Sequence, residues 1–243
     1  MIPGYSIDYR LVALGWLVLY AGLYALAAII TWHFREVSGW DEKPLVARLR
    51  SWPHWSLLGR ALWLVGSVGV PYAALLSGVV SPLDLGLIQL DWLPGIARGA
   101  AWGVSSFFLL AFSWWTYGRA ISGSAEEVSG FSTGHRRLAQ ALTFAMADES
   151  RWAFYRGIAI PWIGQYYGAY AALLLALVVP CLSPWIRARL RRAGSRESLL
   201  FRASLAVVST TAFVLTGNFW ICLALHVLLD ISLSSLIPIV VRK

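Results

Sequence analysis

FAMADESRWAFYRG, residues 144–157, sets Asp148, Glu149, Arg151 and Arg156 inside a chain whose other long stretches are apolar. A charged side chain near the centre of a bilayer costs about 2.5–3.5 kcal/mol even on lenient insertion scales, so such groups turn inward, pair, or line a wet cavity. Four of them together therefore mark the inside of a helical bundle. A second polar group, Asn218, His226 and Asp230, lies in the last apolar stretch, the only other place where ionisable residues sit deep in an apolar run.

The surrounding composition fixes the class. Of the 243 residues, 58% are hydrophobic and only 13% are charged, with a mean hydropathy of +0.65, against about 25% charged residues in an ordinary soluble domain. The chain reads as one all-α integral membrane domain covering residues 1–243, with no segment beyond a loop left for a soluble domain. Fourteen Trp and ten Tyr suit the interfacial belts at headgroup depth. The net charge of +8 comes from short loops between spans, so it reads as topology rather than nucleic-acid binding.

Outward from residues 144–157, apolar length and punctuation predict seven spans, at 11–33, 57–80, 97–117, 138–160, 163–183, 199–216 and 219–241. Pro161 separates the fourth from the fifth, and Gly217-Asn218 turns the sixth into the seventh. The loops at 34–56, 118–137 and 184–198 and the tail at 242–243 carry fourteen Lys or Arg, whereas the connections at 81–96, 161–162 and 217–218 carry none. By the positive-inside rule the N-terminus is expected outside and the C-terminus in the cytoplasm of a cell (inner) membrane. The N-terminal MIPGYSIDYR lacks the basic start and short apolar core of a cleaved signal, leaving the first span as a signal anchor at most.

Other polar residues receive plainer readings. His33 sits at a span end as an interfacial histidine, His135 lies in a polar loop, and 184–198 reads as a basic surface loop or amphipathic helix. Cys181 and Cys222 are both in apolar context and imply neither a disulfide nor a metal site. One histidine with two or three carboxylates falls short of the three well-placed ligands typical of catalytic zinc, so no metal is expected, and no cofactor is assigned.

Depth brings the two polar groups together. At about 1.5 Å per residue, Glu149 lies about 16 Å below Ile160, and His226 and Asp230 lie about 12 and 18 Å below Asn218. His226 and Asp230 stand at i and i+4, Glu149 and Arg156 at i and i+7, each pair on one helix face. Glu149 and Arg156 are therefore expected against His226 and Asp230 in the bundle interior.

In the same stretches the chain resembles the CPBP family of intramembrane proteases, which includes the CAAX-processing endoprotease and bacteriocin-processing or immunity proteins. TGNFWICLALHVLLDISL (216–233) is similar to that family's last motif, a Gly-Asn-apolar-Trp turn followed by His-x-x-x-Asn. DESRWAFYRG (148–157) is similar to the acidic pair with aromatic-Arg-Gly of its first motif. The resemblance covers about 138–238. It implies that Glu149 activates a water as general base, that His226 holds the water or stabilises the oxyanion, and that Arg156 orients the acidic pair. Asp230 stands where the family has Asn. The Glu-to-Arg interval is longer than the family's, and the middle His motif has no counterpart, since no histidine lies between His135 and His226.

Two functions remain open. One is a glutamic-type intramembrane endopeptidase acting on a membrane-associated peptide or a prenylated protein. The other is a catalytically silent relative, its buried ion pairs fixing helix register, that serves as scaffold, assembly or pigment-contacting subunit of a larger membrane complex.

Overall fold

The computed structural model describes residues 9–36, 61, 63–121, 136–191 and 195–241. His135, most of the loops at 34–56 and 118–137, and the tail at 242–243 lie outside the described residues, as does the side chain of His33.

Every described element is helical. The order is α1 (Tyr9–Glu36), a π-helical turn (Val65–Gly69) running directly into α2 (Val70–Leu76), α3 (Trp92–Ile121), α4 (Arg136–Val178), a 3₁₀ turn (Val179–Leu182), α5 (Pro184–Arg191), α6 (Ser195–Thr216) and α7 (Phe219–Val241). Four helical stretches, Arg10–Ile30, Trp92–Arg119, Leu138–Leu182 and Arg196–Thr216, are long and apolar enough to cross a membrane. Large apolar side chains such as Leu19, Leu23, Leu26, Phe108, Leu109 and Leu174 point outward, the arrangement expected where the solvent is hydrocarbon rather than water.

The expected break at Pro161 falls instead at Gly164. Pro161 is accommodated within α4, whereas Gly164 has φ 80° and ψ 169°, a conformation open essentially to glycine alone. In a straight helix, residues eight apart would be roughly 12 Å apart. Here a Cβ added to Gly168 would lie 2.6 Å from the Cα of Ile160. The two limbs of α4 thus fold back on each other, and the lack of a side chain at Gly168 lets them touch.

Within the expected span 57–80, the described residues 65–76 are not one regular α-helix. Pro71 has no N–H to donate to the carbonyl four residues earlier, and the wider π turn at Val65–Gly69 lies immediately before it. Of the basic segment 184–198, residues 184–191 form α5 and residues 195–198 the first turn of α6.

The core is α3, α4, α6 and α7, with α7 packed against the other three and α1 laid on α4. A helix in that central place is apolar on all sides, as FWICLALHVLLDISL is apart from its polar face. At one end, Asn218 caps α7 by accepting from the N–H groups of Trp220 (2.9 Å) and Ile221 (3.2 Å). The loop before α3 tucks into the same end, where Phe219 N–H donates to Gly86 O at 2.9 Å. Gly86 has φ 71°, and a Cβ there would lie 2.5 Å from Gly217 O. At the other end Tyr117 Oη donates to Glu197 at 2.9 Å, tying the end of α3 to the start of α6.

Candidate functional site: a buried glutamate–histidine–arginine cluster

The first limb of α4 turns its charges inward. Asp148 and Arg151, at i and i+3, form an ion pair at 2.7 Å, and the exposed Arg202 of α6 reaches the other oxygen of Asp148 at 3.9 Å. Glu149 points the next way around the helix and is fully buried at 0% exposure, as is Arg156 two turns on at 1%. The Arg156 guanidinium lies 3.7 Å from Glu149 Oε2, an ion pair too long for a hydrogen bond.

From α7, His226 Nδ1 lies 3.1 Å from Glu149 Oε1. An ionised carboxylate only accepts, so beside a charged Glu149 it is the Nδ1–H that donates. Asp230 shares the His226 face, one turn further along, but its hydrogen bond is with Ser234 at 3.4 Å. Among the described residues it makes no bond to Glu149.

Aromatic rings complete the enclosure. Trp152 stacks on the imidazole at 5.2 Å between centroids and 9° between planes, and the Arg156 guanidinium lies over the Phe213 ring at 4.2 Å. Neither contact was read from the sequence. Trp152 stands at i+3 from Glu149, which is a signal available in principle, while Phe213 becomes relevant only once α6 is known to cross beside α4.

The cluster is tightly held yet incompletely satisfied. Nε, Nη1 and Nη2 of Arg156 and Oε2 of Glu149 have no hydrogen-bond partner among the described residues. Over nine in ten buried polar groups have one, from protein or water. Chemically, the arrangement offers a carboxylate, an imidazole nitrogen and a fan of cationic donors around one point, the groups needed to deprotonate a nucleophile and steady a developing negative charge.

Among the described residues no group of three or more His, Cys, Asp or Glu could hold a metal ion. Cys222 is buried beside this cluster with its Sγ 3.6 Å from Ser209 O, and Cys181 is exposed and far off in the 3₁₀ turn. No family model, curated protein or solved structure matches the chain.

Proposed function

We propose that the chain is a CPBP-like protein that crosses a cell (inner) membrane seven times, with its N-terminus outside and its C-terminus cytoplasmic. The seven passes are α1, the segment 57–80, α3, the two limbs of α4, α6 and α7. A 45-residue apolar stretch at Leu138–Leu182 would be roughly 68 Å long if straight, more than twice the ~30 Å hydrocarbon core. The reversal at Gly164 therefore supports two passes there. Cysteines introduced at Leu83 and Leu190 in a background lacking Cys181 and Cys222 are expected to label from opposite sides of sealed vesicles. Labelling from the same side would refute this topology.

For activity, the reading is a glutamic-type endopeptidase acting on a membrane-associated peptide or prenylated protein. The observation that carries it is the 3.1 Å contact between Glu149 and His226 beside a guanidinium with unsatisfied donors. In this reading Glu149 takes a proton from water, His226 holds that water or the oxyanion, and Arg156 fixes the carboxylate. Removing a general base costs about 10²- to 10⁴-fold. Purified protein in lipid nanodiscs is expected to cleave a prenylated peptide, and Glu149→Gln and His226→Ala to lose at least about 100-fold per folded molecule, the folded fraction being measured by tryptophan fluorescence. Cleavage by Glu149→Gln at the wild-type rate would refute the assignment.

A second reading is supported by the enclosure of the cluster. With Glu149 at 0% and Arg156 at 1% exposure and Trp152 stacked on His226, the charges are placed well to fix helix register. The chain would then be a silent relative serving as scaffold, assembly or pigment-contacting subunit. A wild-type protein that cleaves nothing but copurifies stoichiometrically with membrane partners from native membranes would favour it.

A further inference from the structure

Away from the buried cluster, a cavity of about 310 Å³ opens between the end of α1 and α5, lined by Trp32, Pro184, Arg187, Ala188 and Arg191. Arg187 and Arg191 stand at i and i+4 and so share a face of α5. Between them in sequence, Arg189 is already engaged, stacking on Trp185 at 4.5 Å and donating to Ser198 Oγ at 2.8 Å. Neither Arg187 nor Arg191 has a side-chain partner among the described residues. The cavity thus carries two exposed guanidiniums, each able to present paired donors to a phosphate, over a floor of Trp, Pro and Ala.

Its depth is set by α1. The apolar stretch of that helix runs over Arg10–Ile30, with Arg10 at the far end over the Trp162 ring. Trp32 follows directly after, at the headgroup level where Trp rings concentrate. Leading up to it at three-residue steps, Leu26 and Ile29 are 55% and 43% exposed on the outer surface of α1. Arginines needed only to keep a loop on one side of a membrane could lie on a flat surface. These two converge instead on a concavity that continues an outward apolar track.

We propose that this cavity is a binding site for an anionic phospholipid, with the phosphodiester and headgroup held by Arg187 and Arg191 against Trp32 and an acyl chain laid along Ile29 and Leu26. At about 310 Å³ it has the capacity of a small ligand pocket, enough for a glycerophosphate headgroup but not for a whole lipid. The site is independent of the chemistry at Glu149.

The test is native mass spectrometry of the full chain released from vesicles of equal parts phosphatidylglycerol and phosphatidylcholine, with and without millimolar inorganic phosphate. Wild-type protein is expected to retain phosphatidylglycerol in preference to phosphatidylcholine. At about 1 kcal/mol per arginine near a membrane surface, Arg187→Gln/Arg191→Gln should lower that preference roughly 10- to 30-fold. Arg196→Gln, a neighbouring charge outside the lining, should leave it unchanged. Ala188→Trp, which fills the cavity and keeps both charges, should lower it as well, and covers the case in which the double variant does not fold. Preference unchanged in Ala188→Trp, or lowered equally by Arg196→Gln, would overturn the site. Displacement of the lipid by inorganic phosphate alone would show a free-anion site and overturn the lipid assignment.

Discussion

Helix α7 is gripped on two sides by opposite means. On the α3 side, Gly95, Gly99 and Gly103 come at every fourth residue, and a Cβ on each would lie 3.0, 2.5 and 2.5 Å from side-chain carbons of Ile221, Ile221 and Leu225. That seam joins by shape, with small residues letting two backbones approach and dispersion supplying the attraction. On the α4 side the seam is Glu149, Arg156, His226 and Trp152, joined by charge and stacking. A shape seam degrades gradually when a methyl group is added, because a side-chain end can shift. A buried charge seam fails abruptly when one member is removed, because the partner is left desolvated and uncompensated.

The comparison is most exposed to attack at Arg156. Arg156→Ala strands Glu149 in the interior and is expected to destabilise the fold by about 3–5 kcal/mol, measured by denaturant unfolding in detergent followed through tryptophan fluorescence. Glu149→Gln/Arg156→Met removes both charges at similar volume and should recover most of that loss. If the double variant is as unstable as Arg156→Ala, charge is not what holds this side. The α3 side should respond less. Gly103→Leu overpacks against Leu225 and is expected to cost about 1–3 kcal/mol, with no recovery from changes at Glu149 or Arg156. A smaller effect is expected at the hinge of α4. Gly164→Ala meets nothing within 4 Å, so its cost, about 1–2 kcal/mol, comes from backbone conformation alone. Pro161→Ala, in the last turn before that hinge, should not destabilise at all, and a loss there exceeding that of Gly164→Ala would return the break to Pro161.

How much was legible beforehand follows the same division. Charges in apolar sequence are conspicuous because each carries a large transfer cost, and helical spacing with simple depth arithmetic was enough to set Glu149 against His226. Asp230 shows the limit of that arithmetic, since sharing a face with His226 did not decide whether it bonds across to α4 or, as found, to Ser234 on its own helix. The glycine seam was silent. Glycine is ordinary in membrane helices, and Gly99 acquires meaning only when Ile221 is known to lie against it. Pro161 misled for a physical reason, because proline announces a missing donor in any context, whereas the left-handed backbone at Gly164 has no sequence signature apart from glycine itself. The close approach of Gly86 to Gly217 was likewise hidden, because residues 81–96 read only as a connection without Lys or Arg until the turn they cover is in place.

The reversal at Gly164 also bears on how the chain can enter a bilayer during synthesis. The first limb of α4 carries Asp148, Glu149, Arg151 and Arg156, and on an insertion scale each would weigh about +2.5–3.5 kcal/mol at mid-membrane. The second limb, beginning after the hinge, is free of charge through Leu182 and rich in Leu, Ala and Val, each Leu or Val contributing about −0.3 to −0.6 kcal/mol. Tied together by a hinge that lets Gly168 rest on Ile160, the two limbs can partition as one helical hairpin. In the proposed seven-pass topology, the apolar weight of the uncharged limb offsets the cost of the charged one, whose Glu149 then meets His226 of α7.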